Sequence, residues 1–181
     1  MSTEPFEQTI RAIYWSVVAV AILLAGCVNV QAVELGPEED VDAVSTVGGS
    51  DCGSATARRV VHYVNQERRG RDLEMLACSR RLTRLAQAHA DDMCDRGYVG
   101  HVSSDGVGMA DRFEQLDVRY TAIAENVAAG QPSAFRAHDG WMHSPGHRRN
   151  ILHPALRRIG VGYASCGGQP RWVQVFSSHP R

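Results

Sequence analysis

At 181 residues the chain has room for one domain with a sizeable core and an appendage. Its 19 bases and 20 acids nearly cancel, and no stretch interleaves bases with stacking aromatics, which excludes a nucleic-acid groove. The charge is uneven, since residues 28–51 hold six acids and no base whereas residues 52–181 carry a net +6, a mild bias toward anionic envelope surfaces.

The chain begins with an apolar run from Ala12 to Val28 that contains Leu24-Ala25-Gly26-Cys27. An apolar segment closed by small residues before a cysteine reads as a secretory signal with a bacterial lipobox. In that reading the Cys27 thiol takes the lipid that holds the protein to the bilayer. Glu4 and Glu7 stand where a positive flank is expected, and a run of about 17 apolar residues also fits the short end of an uncleaved membrane anchor. Both readings place the remainder outside the cytoplasm. Residues 28–53 follow as an acidic, disordered linker with Pro37 and Gly48-Gly49-Ser50, too polar to form a core. The expected organisation is therefore a signal peptide or anchor at 1–27, a linker at 28–53 and a domain at 54–181.

Ser54 is placed to cap a helix over 55–69, with Ala57, Val60, Val61, Val64 and Arg68 on one face and Gly70 as the stop. Asn65 and Arg68, at the edge of that face, are suited to hold the following loop by hydrogen bonds. Ser79 caps a second helix whose stripe is Leu82, Leu85, Ala86, His89 and Met93, ended by Gly97. His89 reads as a core histidine with one nitrogen satisfied. A third helix is expected over 109–116, burying Met109, Phe113 and Leu116. Pro132 opens a fourth, over 133–143, with Ala134, His138 and Trp141 inward. Residues 159–164 and 171–176 form an antiparallel hairpin across Gly167-Gly168. Trp172, Gln174 and Phe176 face one way and Val173 and Val175 the other, so both faces of the sheet need covering. The fold class is α+β.

Four cysteines lie beyond Cys27, namely Cys52, Cys78, Cys94 and Cys166, an even number that implies two disulfides in an oxidising compartment. Cys78 and Cys94 bracket the second helix, and sixteen residues at 1.5 Å rise separate them by roughly 24 Å, which excludes that pair. Two pairings stay open: Cys52–Cys78 with Cys94–Cys166, or Cys52–Cys94 with Cys78–Cys166. No C-x-x-C spacing suggests a zinc site among them.

Several short motifs follow one another in a distinctive order. They are Asn65-x-x-Arg68, His101, Glu125-Asn126-Val127-Ala128, Ser144-Pro145-Gly146-His147, Gly160-Val161-Gly162 and Trp172-Val173-Gln174-x-Phe176. This order resembles the bacterial type of the CAP superfamily, which groups cysteine-rich secretory proteins, antigen 5 allergens and plant pathogenesis-related class 1 proteins around an SCP domain. The resemblance covers residues 55–177. It implies a three-layer α-β-α sandwich with a small antiparallel sheet, and a cleft lined by two histidines and two acids. His101, Glu125 and His147 match three of those positions. The second acid is replaced by Ser144, which cannot supply its charge, and nothing shows that nearby Asp139 takes its place.

Two neutral imidazoles and one carboxylate make a three-ligand set for Zn²⁺ or another divalent metal, with one position open. His101, His147 and Glu125 are therefore the candidate ligands, although their spacing is not the H-E-x-x-H of a metalloprotease. Ser144 lies three residues before His147 without the strand-turn-helix elbow that a nucleophile needs. Asn126 is expected to fix a turn after Glu125, and Asp105-Gly106 to close the His101 loop. His143 and His153 read as exposed. The expected function is an exported, envelope-attached, non-catalytic binding module for a small hydrophobic ligand, lipid or partner, a role to which the resemblance adds a divalent metal. The alternatives are a metal-dependent hydrolase of peptides or cell-wall material, and an adhesion or host-interaction protein with a vestigial cleft.

Overall fold

The computed structural model of the chain describes residues 50–116 and 120–179. The expected signal or anchor, its Cys27 and residues 28–49 of the linker lie outside the described residues. Among the described residues no helix is long and apolar enough to cross a membrane.

A 3₁₀ turn, Ser50–Cys52, precedes helix α1, Ala55–Arg69. The domain thus takes in four residues expected in the linker, because Cys52 is buried and bonded to Cys78. The Ala57 amide donates to Ser54 Oγ at 3.1 Å, and Val60, Val61 and Val64 are buried as their spacing requires. Arg68 is fully buried and does more than hold the next loop. Its guanidinium donates to the carbonyls of Glu74, Ile151, His153 and Leu156, stitching two distant segments together. Asn65 exchanges two hydrogen bonds with the backbone of Leu76.

Strand β1, Ala77–Cys78, leads into α2, Arg80–Asp95, capped by Ser79. Helix α3 covers Met109–Glu114, shorter than expected, and its buried residues are Arg112 and Phe113. Strand β2, Ile123–Ala129, was not anticipated. Helix α4, Ala134–His143, and a short α5, Pro145–Ile151, meet at Ser144. The hairpin of β3, Arg158–Cys166, and β4, Gln169–Ser177, closes the chain.

The four strands lie in the order β1-β3-β4-β2, antiparallel except for the two-residue β1–β3 pair. Ile159, Val161, Trp172 and Phe176 pack with α1, α4 and α5 on one face. Val127, Val173 and Val175 pack with α2 and Phe113 on the other. This is the α-β-α sandwich that the resemblance implied, and the alternation along β4 follows the strand period of two. Helix α2 sits directly on β3. A Cβ at Gly160 would lie 2.1 Å from the backbone of Leu82, and one at Gly162 would lie 2.2 Å from that of Ala86. Of the two open pairings the structure has the first, with Cα–Cα separations of 5.0 Å for Cys52–Cys78 and 5.5 Å for Cys94–Cys166.

Candidate functional site

Strand β2 is an edge strand, and its two central polar residues point to opposite faces of the sheet. Glu125 lies across from Val175 on the α2 and α3 side, and Asn126 lies across from Gln174 on the α5 side. The site is built from these two arms.

On the first arm, His101 stands in the loop between α2 and α3. His89 Nε2, from the buried stripe of α2, donates to the carbonyl of Gly100 at 2.8 Å, while its Nδ1 is buried without a partner. Burial keeps the His89 pKa below the usual histidine value. Asp92 accepts from the Tyr98 hydroxyl and from both the amide and the hydroxyl of Ser104. The Tyr98 and Ser104 bonds hold the Asp92 carboxyl down at about 2, while burial and the same contact push Tyr98 up to about 12. Gly106, at φ +87°, closes the far side of the loop with its amide on the Ser103 carbonyl. Asp105 accepts from the Val107 amide, as the turn pair predicted.

The loop delivers the His101 ring to Glu125. His101 Nδ1 lies 2.9 Å from Glu125 Oε1, and Arg112 Nη2 lies 2.7 Å from Glu125 Oε2. The carboxylate is 1% exposed, the Arg112 side chain 10% and the His101 side chain 56%. A buried carboxylate is thus balanced by a buried guanidinium and faces a solvent-exposed imidazole. Arg112 also donates to Ser103 Oγ and to the carbonyls of Val107 and His101.

On the second arm, Asn126 Nδ2 donates to the His147 carbonyl at 3.2 Å and to Gln174 Oε1 at 2.9 Å. Asn150 Nδ2 donates to Asn126 Oδ1 and to the Glu125 carbonyl. Asn126 therefore fixes α5 on the sheet from inside a strand, rather than fixing a turn. His147 is half-buried. Desolvation lowers its pKa, and the neighbouring His101 adds to the effect. Neither ring nitrogen of His147 meets a partner among the described residues.

Among the described residues no group of three or more His, Cys, Asp and Glu is arranged to hold a metal ion. Both oxygens of Glu125 are engaged, one with the His101 ring and one with the Arg112 guanidinium, an arrangement in which a carboxylate orients an imidazole. Ser144 sits between α4 and α5 with extended backbone at φ −94° and ψ 117°, and its hydroxyl makes no capping bond. No nucleophile elbow forms there. Asp139 interacts with His143 at 3.2 Å and does not replace the missing acid, and His153 Nδ1 accepts from the Ala155 amide. Arg112 was missed in the sequence. It occupies the i+3 position of an i, i+3, i+4, i+7 stripe with Met109, Phe113 and Leu116, and a charge inside an apolar stripe signals a buried partner.

Residues 61–176 match the family described as the cysteine-rich secretory protein family, CAP. Over 132 residues the chain is 34% identical to the uncharacterized protein YkwD of Bacillus subtilis, covering 73% of this chain and 51% of that protein. It is 28% identical over 120 residues to the uncharacterized membrane protein YlbC of the same organism, covering 66% of this chain and 35% of that one. The chain thus spans about half of the first relative and about a third of the second. An extracellular SCP-domain protein from Bacillus anthracis superposes with a TM-score of 0.63 at 25% identity, over 76% of this chain and 43% of that one. An outer surface protein of Borrelia burgdorferi shares the fold with a TM-score of 0.62 at 18% identity, over 66% of this chain and 90% of that one. With its α-β-α sandwich and a family match over most of the domain, the chain belongs to the cysteine-rich secretory protein (CAP) family.

Proposed function

We propose that the domain is an extracytoplasmic, non-catalytic binding module in which His101 and His147 receive a divalent cation beside a small hydrophobic or lipid-like ligand. The observation that carries this reading is the Glu125 carboxylate. With one oxygen on His101, the other on Arg112 and only 1% of the side chain exposed, it is poorly placed to activate a water itself. An imidazole bonded through one nitrogen to a carboxylate is the usual form of a ligating histidine. Val99 and Val102, exposed at 52% and 54%, flank His101 with apolar surface suited to a hydrophobic ligand. The two disulfides support the exported location, and lipidation at Cys27 would fasten the module to the envelope.

Calorimetric titration with Zn²⁺ tests the cation. The wild-type protein is expected to release heat that His101→Ala and His147→Ala both abolish, and a silent wild type ends the claim. Mass spectrometry of organic extracts tests the hydrophobic ligand, which repeatedly empty preparations would exclude. The His101–Glu125 pair also has the geometry that orients a general base, which keeps a hydrolase as the second reading. Turnover of peptides or murein fragments that disappears in His101→Ala would transfer the function to it.

A further inference from the structure

We infer that Arg112 is the positioning residue of the His101 arm, setting both the orientation of that imidazole and which of its nitrogens carries the proton. The inference rests on the binding reading only for what the ring is used for. Its physical basis is the fork of the guanidinium. Nη1 grips the turn behind the ring, at Ser103 Oγ (2.9 Å) and the Val107 carbonyl (3.0 Å). Nη2 grips the ring's own residue at the His101 carbonyl (3.2 Å) and the ring's partner at Glu125 Oε2 (2.7 Å). One planar group therefore fixes His101 at its backbone and, through Glu125, at its side chain.

The consequence for the ring is chemical. A carboxylate paired with a guanidinium has no hydrogen to donate, so the contact with Oε1 requires that Nδ1 of His101 carry one. The neutral ring is then held in the Nδ1–H form, with the Nε2 lone pair available to a ligand. In water an unrestrained histidine favours the opposite tautomer. Stability alone is a poor reason for this residue. Arg112 Nε is left buried without a partner, and buried ion pairs are often replaceable by apolar side chains without loss. A lysine at 112 would place a point charge near Oε2 but could not span the four acceptors.

The test is long-range ¹H–¹⁵N NMR on the full-length chain, labelled with ¹⁵N at histidine and read at a pH where the rings are neutral. The wild type is expected to show His101 as Nδ1–H, and an Nε2–H signal there overturns the inference outright. In Arg112→Gln, where Glu125 loses its guanidinium and can turn from the ring or take up a proton, the Nδ1–H fraction should fall clearly, and in Arg112→Lys it should fall in part. The buried His89 and His138 signals report whether each variant is folded. A folded variant of either kind whose His101 tautomer matches the wild type refutes the role. Zn²⁺ affinity should drop about tenfold in Arg112→Gln, as it does when an orienting partner is lost. A wild type that binds no zinc while the tautomer still shifts removes the binding reading and leaves the positioning role in place.

Discussion

Glu125 and Asn126 are consecutive on an edge strand, yet each holds a different histidine. The first takes the His101 ring on one face, and the second takes the His147 carbonyl on the other. Among the described residues β2 has no strand beyond it, so its outer edge is left to these two arms. Strand alternation thus ties the His101 loop and α5, whose histidines are 46 positions apart, to adjacent residues of one strand.

Asn126→Ala should loosen the His147 arm alone. The change removes bonds to His147, Gln174 and Asn150 within a buried network, which costs about 1–3 kcal/mol in urea unfolding. Zinc affinity should fall while the His101 ring keeps its tautomer. A shifted His101 tautomer would show that the arms are not independent.

Arg112 and Glu125 form a buried pair whose members fail separately. Arg112→Leu should cost about 3–5 kcal/mol, since it strands a carboxylate that is 1% exposed. Adding Glu125→Leu should recover part of that loss. A double variant as unstable as the sum of the two single changes would mean that the charges are uncoupled.

Gly160 and Gly162 let α2 lie on β3, and this close contact involves backbone that cannot swing aside. Gly160→Ala and Gly162→Ala should each cost about 1–3 kcal/mol or more, read as a lowered Tm. A Gly140→Ala control on α4, where an added Cβ meets nothing within 4 Å, should be neutral or stabilising.

The capped helices and the hairpin were readable because their signals are local. Ser54 and Ser79 cap, apolar residues repeat at helical spacing, and Gly167-Gly168 turns the chain. Strand β2 was not readable, because Glu125 and Asn126 place polar groups on both faces and erase the alternation that marks a strand. The reasons for those polar groups, Arg112 and Gln174, lie 13 and 48 residues away. The two histidines and the acid could be named from motif order. The role of Glu125 could not, because it depends on a guanidinium that only the tertiary fold supplies.

Asp92 latches the loop that carries His101, and its folded pKa of about 2 lies below the ordinary 3.8. Its contribution is therefore complete above the ordinary value and is lost as pH falls toward 2. Asp92→Asn should weaken the latch at neutral pH, with faster amide exchange at Ser104. Exchange at Ser104 indistinguishable from the wild type would show that the latch does not restrain the loop.

His138 adds a second and steeper dependence on pH. It is 5% exposed and stacked on Tyr63 at 5.7 Å between ring centroids, with Nδ1 buried and unpartnered. Desolvation pulls its pKa from 6.5 to about 4, against the smaller opposing pull of Glu67 and Asp139. The unfolded chain binds a proton near 6.5 that the folded chain refuses until about 4. Stability is therefore full above the upper value and falls as pH drops through the window, by up to about 3 kcal/mol. His89 and His147 shift in the same direction and contribute slope of the same sign. His138→Phe keeps an aromatic ring against Tyr63 but cannot be protonated. Urea unfolding at pH 7 and near pH 4.5 should therefore show a smaller loss for the variant than for the wild type. Equal losses would mean that the buried ring finds a proton partner on acidification, and that the slope belongs to the other two histidines.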